Sequence, residues 1–484
     1  MENTKIYWKG LEELNNNPEF IKNSLNEFPE SVKKDISTEE GGGSNRRDFL
    51  KLMGFSVAAA SLAACETPVK KAIPYLIKPE EIDPTNANWY ASNYIDGGDY
   101  ASIIVKTREG RPIKIEGNRK SLVTKGGTSV RAQASILSLY DGERLKTFTE
   151  KGNEVATNVA DNKIISKLKE VSGSGKAVYV VTSTVLSPSL NSAIAEFAAK
   201  YNAKVVAQDP ASAYGISKGN ELSFGSAFIP SYDFSKAKTI VSINADFLGT
   251  WLSPIEFAKQ YGAVRKVSEA KPTMARHYQF ESIMSLSGAN ADFRTMIKPS
   301  QEGLVVANLY NLVAEKLGGS TISVSELPGL ANLKKAAADL VSTKGESLVV
   351  SSSNDPNVQV IINALNNLLG SYGTTIDINR KSNAKKGNDV SFTEFASKVK
   401  SGEVGAVIFY NSNPVYASAF GKDLAANLSK VSLKVSLADR ADETASLCDF
   451  VTPDHHYLES WTDAEPKTGS YSLGQPTITP LFKT

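Results

Sequence analysis

The sequence predicts an α/β protein made of Rossmann-like, doubly wound units that follow a small β-rich subdomain. Three observations support this fold class. From about residue 150 onward, short runs of β-branched residues alternate with amphipathic helical stretches, which is typical of parallel sheets with helical crossovers. Residues 101–116 alternate in the manner of a β-hairpin around a glycine-containing turn. The length of 484 residues also exceeds that of one ordinary domain.

Composition narrows the possible function classes. Hydrophobic residues make up 41% and charged residues 22% of the chain, which is ordinary for a globular protein. The formal net charge of +2 argues against nucleic-acid binding driven by bulk charge. The sequence has two cysteines, Cys65 and Cys448, so a Cys₄ iron–sulfur or zinc site cannot form within it. Its three histidines, His277, His455 and His456, are too few for multi-haem chemistry.

A twin-arginine (Tat) export signal is predicted near the N terminus. Arg46 and Arg47 are followed by Phe49 and Leu50 and then by a short apolar run. That run is about 13 residues long, which is too short to cross the ~30 Å hydrocarbon core of a bilayer as a helix. We therefore expect an exported protein and not a permanent membrane span.

The apolar run ends in a sequence that looks like a bacterial lipobox. Leu62, Ala63 and Ala64 precede Cys65, whose thiol would receive a diacylglyceryl group. The mature chain would then start at Cys65 and be held at the periplasmic face of the inner membrane by covalent lipid. The alternative is a chance pair of arginines before a buried helix that ends in an inert cysteine.

The predicted divisions follow these signals and the pattern of elements. They are a polar pre-signal segment (1–44), the Tat signal and lipobox (45–65), a linker and small β-rich subdomain (66–150), a first α/β unit (151–300), a second α/β unit (301–440) and a C-terminal segment (441–484).

The elements are assigned in chain order from local pattern. Prolines within 66–98 predict a linker and extended lead, because proline prevents long helices. Strands 101–107 and 112–116 flank a turn, and a helix through Leu137 and Tyr140 follows. The α/β part comprises helices 162–171, 189–201, 302–317 and 358–369 and strands 176–181, 203–207, 239–243, 347–351, 404–410 and 432–437.

Polar turns follow four of these strands at 182–184, 208–209, 244–246 and 411–414. Ligands of doubly wound sheets bind at the carboxyl edges of the strands, so these turns are candidate contacts for a phosphate or ribose. They are equally suited to cap the following helices, and the sequence leaves both roles open. The first α/β strand is not followed by the dinucleotide-binding glycine pattern, so NAD binding is not expected.

Few residues suggest acid–base or metal chemistry. Glu281 and Glu459 could each supply a metal oxygen, but no third ligand is evident. Adjacent His455 and His456 cannot share one face of a helix. We predict that these histidines and His277 pack or lie at an interface, and we assign no catalytic, cofactor-binding or metal-binding residue.

We predict packing or interface roles for the remaining chemically distinctive residues. Cys448 lies in a half-apolar stretch and is expected to be a buried small hydrophobe. Trp251, Trp461 and Tyr457 are candidate interface anchors on residue type alone.

Several longer blocks carry a family resemblance that spans essentially the whole chain. They are 7–14, 105–118, 131–145, 229–236, 246–254, 274–282, 288–292, 411–414, 442–445 and 453–461. Through these blocks the chain resembles the molybdopterin-dependent oxidoreductase superfamily. Within it, the chain is most similar to the large, ActB-type iron–sulfur subunit of bacterial alternative complex III, the Tat-variant-translocated molybdopterin oxidoreductase family.

The resemblance implies a molybdopterin-oxidoreductase-like fold but no cofactor on this chain. Catalytic members open with a cysteine cluster for a 4Fe–4S centre, whereas no cysteine follows Cys65 in that region, and no metal ligand is identifiable. The iron–sulfur clusters are expected in a further, ferredoxin-like half that follows 441–484 and is absent here. The expected partners are that half, multi-haem cytochrome c subunits and quinol-binding integral membrane subunits.

The expected function is therefore that of a cofactor-free, lipid-anchored scaffold, non-catalytic itself, in a complex that carries electrons from quinol to cytochrome c or a terminal oxidase. One alternative is an active molybdenum or tungsten oxidoreductase with substrate near His277 or His455. Another is a free-standing lipoprotein that binds a nucleotide-like ligand at the strand ends.

Overall fold

A computed structural model of the chain describes Pro18 and residues 86–96, 99–328, 331–482 and 484. The chain divides into two compact units, Met1–Lys78 and Pro79–Thr484, and the strands and helices named here belong to the second. Outside the described residues lie the predicted Tat motif and lipobox: Arg46, Arg47, Phe49, Leu50, Leu62, Ala63, Ala64 and Cys65.

Strands and helices alternate through most of the described unit. The strands are β1 (Asn88–Asp96), β2 (Asp99–Arg108), β3 (Arg111–Gly117), β4 (Thr149–Glu150), β5 (Asn153–Glu154), β6 (Ala177–Thr182), β7 (Lys204–Ala207), β8 (Ile229–Tyr232), β9 (Thr239–Ile243), β10 (Arg276–Glu281), β11 (Phe293–Met296), β12 (Ser347–Ser351), β13 (Ile376–Ser382), β14 (Val404–Tyr410), β15 (Leu433–Ser436), β16 (Phe450–Val451), β17 (Thr462–Lys467) and β18 (Ser470–Gly474). The helices are α1 (Val130–Ala134), α2 (Ile136–Leu139), α3 (Thr157–Gly173), α4 (Pro188–Tyr201), α5 (Tyr214–Phe224), α6 (Pro254–Arg265), α7 (Leu286–Ala289), α8 (Glu302–Leu317), α9 (Ala331–Ser342), α10 (Pro356–Leu368), α11 (Asp389–Ser401), α12 (Pro414–Ala417) and α13 (Gly421–Asn427).

The first part of this unit is an antiparallel sheet in the order β1-β2-β3. β2 and β3 form the predicted hairpin, and its turn places Glu109 and Gly110 at φ values of 51° and 74°, the left-handed region that a tight hairpin turn requires. β1 lies within the segment predicted as a linker and lead. It pairs with β2 along its whole length, because the prolines of that segment stop at Pro84 and leave the following N–H groups free to pair.

The predicted helix through Leu137 and Tyr140 is in fact two short helices, α1 and α2, that meet at Ser135. The Ser135 hydroxyl donates to the Ala132 carbonyl at 2.8 Å. Such a bond from serine back to a helix carbonyl competes with continued helical pairing and favours a break.

A seven-stranded sheet in the order β5-β4-β16-β15-β14-β6-β7 forms one α/β unit. Its strands from β16 to β7 are parallel, and β4 and β5 form an antiparallel edge. Helix α11 packs Phe392 and Phe395 against Tyr179 on one face, whereas α3 packs Leu168 on the other. Because both faces of the central strands are buried, β6 and β14 are nearly continuous apolar runs, and this is why they could be predicted to within a residue.

A second, all-parallel sheet has the order β11-β10-β9-β12. All of its strands lie between β7 and β14 in the sequence, so this unit is inserted into the seven-stranded one. The predicted units 151–300 and 301–440 follow chain order, whereas each sheet takes strands from both ranges. The predicted fold class, α/β with doubly wound units after a small β-rich part, is confirmed.

An antiparallel sheet in the order β18-β17-β13-β8 joins segments that are distant in sequence. Its strands were not predicted, because β13 and β17 are rich in charged residues and β17 contains Pro466. Among the described helices, none is long and apolar enough to cross a bilayer.

Candidate functional site

A cleft of about 1120 Å³ opens at the carboxyl edge of the seven-stranded sheet. The chain crosses from β6 to β7 on one side and from β14 to β15 on the other, so the connections diverge between β6 and β14. Such a switch point leaves a crevice in which the ligands of doubly wound sheets bind. The cleft is therefore the first place to look for a site.

The helix that follows β6 begins at this cleft, and a carboxylate of the same chain covers its first turn. Asp463 of β17 accepts hydrogen bonds from the backbone N–H of Ser189 (3.1 Å) and from its hydroxyl (2.8 Å), and also from the Ser187 hydroxyl. Ser187 is the N-cap of α4 and accepts from the Leu190 N–H at 3.0 Å. Burial raises the pKa of Asp463, but the hydrogen bonds from Ser187 and Ser189 lower it more, so the carboxylate is held ionised.

In many α/β proteins the N terminus of this helix binds a ligand phosphate through free N–H groups and the helix dipole. In this chain Asp463 occupies that position as an internal anion. It was not singled out in the sequence, and its role is visible only because β17 is folded against α4, 274 residues away from Ser189.

Two of the predicted strand-edge turns are tied to each other. The Asp209 carboxylate accepts from the Thr184 N–H (2.9 Å) and hydroxyl (2.6 Å) and from the Gly387 N–H (2.9 Å). The Lys386 N–H in turn donates to the Thr184 hydroxyl at 2.7 Å. These side chains neither cap a helix nor remain free for a ligand, because they fasten the loops together.

The other two turns behave similarly. Asn413 precedes α12 but makes no capping bond; it accepts instead from the Thr444 hydroxyl at 2.7 Å. Asp246 belongs to the inserted sheet, and its carboxylate accepts from the N–H and hydroxyl of Ser287, each at 2.9 Å. At Thr184, Asp209 and Asn413, loop-to-loop bonds thus take the place of a helix cap, whereas Asp246 bonds Ser287 in the first turn of α7. The Ser412 hydroxyl, which also lines the cleft, is buried without a hydrogen-bond partner among the described residues.

The cleft carries more negative than positive charge. Five aspartates and two arginines line it: Asp96, Asp439, Asp442, Asp454, Asp463, Arg131 and Arg440. Arg131 pairs with Asp99, and Arg440 pairs with Asp439 and Asp141, so both cations are already engaged. Burial raises the pKa of Asp442 and of Asp454, which is the expected response of carboxylates in an acidic, poorly solvated crevice.

A phosphate-bearing pterin does not fit this arrangement. It would need free N–H donors at the helix N terminus, where Asp463 and Ser187 already accept from the N–H groups of Ser189 and Leu190, and a positive surrounding, whereas the lining is acidic. No group of three or more His, Cys, Asp or Glu side chains suited to a metal ion occurs among the residues that the structure describes.

The two glutamates considered as metal ligands are engaged in structural ion pairs. Arg144 donates to both carboxylate oxygens of Glu459, at 2.8 and 3.2 Å, and both side chains are almost completely buried. Burial raises the pKa of Glu459, but the hydrogen bonds from Arg144 and from nearby N–H groups lower it by more, so the net pKa lies below its usual value. Glu281 likewise accepts from Arg294 (2.5 Å) and from the Ser285 hydroxyl (2.6 Å).

The buried histidines pack, as predicted. His277 lies inside β10, where its ring nitrogens contact Tyr261 Oη (3.2 Å) and Gln279 Oε1 (3.1 Å). His456 contacts the Ser138 hydroxyl at 2.9 Å. Burial lowers the pKa of each to about 4, so both are neutral at pH 7.

The structure gives different outcomes for the remaining residues discussed from the sequence. Cys448 is mostly buried, and burial raises its thiol pKa to about 12, in agreement with an unreactive role. Trp251 is only 7% exposed and packs against Tyr232, so its candidacy as an interface anchor was wrong. Trp461, in contrast, is 72% exposed at the rim of the cleft. Tyr457 is half-buried and bonds the Ser135 hydroxyl at 2.7 Å.

Comparisons with known proteins find a similar sequence and a similar structure. No family model matches it. Over 91% of its length it is 26% identical to the menaquinone reductase molybdopterin-binding-like subunit of Nitratidesulfovibrio vulgaris, covering 70% of that protein. Its fold is similar to that of acetylene hydratase from Pelobacter acetylenicus, with a TM-score of 0.61 and 12% identity over 81% of this chain and 67% of the other. The fold is thus molybdopterin-oxidoreductase-like.

Proposed function

We propose that this chain is a cofactor-free, lipid-anchored scaffold within the iron–sulfur subunit of a quinol-oxidising complex of the alternative complex III type. Electrons would pass from quinol to cytochrome c or a terminal oxidase through partner subunits. Those partners are the ferredoxin-like iron–sulfur half, multi-haem cytochromes c and quinol-binding membrane subunits. Export by Tat and acylation of Cys65 would hold the chain at the periplasmic face of the inner membrane.

The observation that carries the cofactor-free part is Asp463 at the N terminus of α4. A retained fold whose phosphate position is filled by a carboxylate of the chain itself is what we expect after loss of the cofactor. The acidic lining of the cleft adds to this, since it repels an anionic ligand.

The similarity to a menaquinone reductase subunit supports a place in quinone chemistry. That relative is named as molybdopterin-binding-like, and the alignment spans nearly the whole chain. Its name indicates quinone reduction, whereas the sequence blocks favour quinol oxidation. Membership of a quinone-reactive respiratory complex is common to both, and the direction of electron flow is part of the proposal.

The decisive test is to produce the complex in a host that cannot make molybdopterin. We expect its quinol:acceptor activity to equal that of the complex from an unmodified host, while a molybdenum enzyme of the same host loses activity as the control. If the activity of the complex falls together with that control enzyme, the chain is an active molybdenum or tungsten oxidoreductase and the scaffold proposal is wrong.

A further inference from the structure

One end of the three-stranded sheet carries an unusual set of side chains. We call it the hairpin-end surface and define it by six residues: Trp89, Lys106, Arg108, Arg111, Ile113 and Lys114. None of these six residues lines the cleft.

The strand register fixes where these side chains lie. Trp89 of β1 is opposite Lys106 of β2, which is opposite Lys114 of β3, so the three form one row across the sheet. Neighbouring Val105 and Ile115 are fully buried on the other face. Because side chains alternate between faces along a strand, the row projects from the outer face.

Cations stand directly opposite cations in this hairpin. Lys106 pairs with Lys114, and Arg108 pairs with Arg111 next to the turn. Like charges directly opposite each other destabilise a sheet. The Lys106 ammonium lies 5.6 Å from the centre of the Trp89 ring, and Lys114 lies 3.9 Å from Glu116. Glu109 also lies in the turn, so the four cations of the hairpin outnumber its two carboxylates and leave it with a net positive charge. Fold stability alone does not explain such an arrangement, whereas an anionic partner would.

Apolar and aromatic side chains accompany the charges. Ile113 is the extra residue of a β-bulge, because the register shifts between the Thr107–Pro112 and Lys106–Lys114 pairs. It is 50% exposed, and Trp89 is 48% exposed. The Tyr140 hydroxyl donates to the Pro112 carbonyl at 2.9 Å, which places a 47% exposed ring beside Ile113.

This combination fits a bilayer surface. Tryptophan and tyrosine favour the headgroup level, and lysine and arginine are drawn to anionic lipids. A groove that binds a protein would be expected to offer separate pockets, whereas these side chains project from the exposed end of a hairpin.

The chain also enters the folded unit at this end. β1 begins at Asn88, opposite Thr107, which is itself opposite Pro112. The segment 66–85 separates Cys65 from the described unit, and 20 residues reach at most about 70 Å. If Cys65 is acylated, as in the proposed function, this end of the sheet is within reach of the membrane that holds the anchor.

We propose that the hairpin-end surface docks onto the anionic phospholipid face of the membrane and so orients the scaffold. The positive charges provide long-range attraction, and Trp89, Ile113 and Tyr140 enter the headgroup layer.

The test uses the full chain with Cys65→Ala, so that no lipid anchor contributes. Its binding is measured by co-sedimentation with phosphatidylglycerol-containing vesicles and with pure phosphatidylcholine vesicles. We expect binding to the anionic vesicles and its loss at high salt. The triple variant Lys106→Gln/Arg111→Gln/Lys114→Gln should bind about 100-fold more weakly, at roughly fivefold for each cation removed.

A matched control removes three exposed lysines elsewhere, as Lys151→Gln/Lys316→Gln/Lys334→Gln, and should bind within about threefold of the parent, because the attraction falls off within a Debye length of the bilayer. The triple variant should melt no lower than the parent, because it relieves two like-charge pairs. Equal binding by the parent and the triple variant, or an equal loss in the control, would overturn the proposal. So would a triple variant that binds vesicles normally but no longer assembles with its partner subunits, since the surface would then serve a protein. The vesicle-binding and melting readouts involve neither the partner subunits nor electron transfer, so their failure is distinguishable from failure of the scaffold function.

Discussion

Carboxylates of the chain itself occupy hydrogen-bond donors at the strand ends of both sheets. Asp463 closes the first turn of α4, Asp209 fastens the loops after β6 and β7, and Asp246 does the same in the inserted sheet. Each accepts from N–H and hydroxyl donors, and those at α4 are donors that a ligand phosphate would otherwise use. The chemistry of the cleft therefore depends on side chains that its own fold supplies.

Removing the internal anion should restore an anion site. We expect Asp463→Ser to lower the free energy of unfolding by about 1 kcal/mol, as for loss of a helix cap. We also expect phosphate, compared with chloride at equal ionic strength, to raise the melting temperature of this variant and not of the parent. The control Asp161→Ser removes an exposed aspartate with no described bond and should show neither effect. A phosphate response in the unmodified chain would contradict the filled-site interpretation.

Two buried histidines should make the fold sensitive to mild acid. His277 and His456 have a folded-state pKa of about 4, below the value of about 6.5 expected when unfolded. The unfolded state therefore binds more protons between these values, and stability falls as pH falls through that window, by up to about 1.4 kcal/mol per pH unit for each histidine. Urea unfolding between about pH 6 and 5 should show this slope. In the variant His277→Gln/His456→Gln this contribution to the slope should be lost, and an undiminished slope would mean that other groups are responsible.

At the scale of elements, the buried pair Arg144–Glu459 links the end of α2 to the C-terminal segment. Glu459 also accepts from the Leu481 N–H at 3.0 Å, so one carboxylate holds three parts of the chain together.

Arg144→Met should lower the free energy of unfolding by about 3–5 kcal/mol, because it leaves a buried carboxylate without its cation. The double variant Arg144→Met/Glu459→Met should recover most of that loss. Urea denaturation measures both, and a loss below about 1 kcal/mol in the single variant would show that the pair is not effectively buried.

The elements that could be predicted from the sequence are those whose local pattern and tertiary environment agree. β9, β12 and α8 match the predicted bounds residue for residue, because β-branched or helix-forming runs are buried as the pattern indicates. Strands β13, β17 and β18 could not be predicted, because they are polar and are stabilised by partners far away in sequence. The insertion of one sheet into the other depends on pairing between β6 and β14, which no local pattern reveals.

The residues of the candidate site could likewise be predicted only where local sequence carries the signal. The turns after β6 and β14 were recognised from their position at strand ends, and both lie at the cleft. Asp463 was not recognised, since an aspartate in a polar stretch carries no signal until the fold brings it to α4.

At the scale of the whole molecule, charge is distributed unevenly: the cleft is acidic and the hairpin-end surface is basic. Because the net charge is only +2, these two regions, and not the total charge, would determine the electrostatic interactions of the molecule with partners and membrane. An anchored scaffold with a basic end toward the bilayer would leave the acidic cleft accessible to partners.

Export and anchoring can be separated by variants in the N-terminal signal. We expect Arg46→Lys/Arg47→Lys to retain the chain in the cytoplasm, since Tat export depends on the arginine pair. Produced without its partner subunits, Cys65→Ala should still be exported but should leave the membrane fraction on a high-salt wash, because neither a lipid anchor nor a membrane subunit then holds it. Fractionation with acyl labelling measures both. A Cys65→Ala chain that resists the salt wash would argue against a lipid anchor as the main attachment.

The most direct measurement is the molybdenum, tungsten and pterin content of this polypeptide, isolated from membranes of a molybdenum-replete host together with its partner subunits. We expect no stoichiometric molybdenum, tungsten or pterin on this chain, with iron confined to the iron–sulfur half and the cytochrome subunits. Near-stoichiometric metal and pterin on this chain would contradict the cofactor-free interpretation and make the cleft at β6 and β14 an active site.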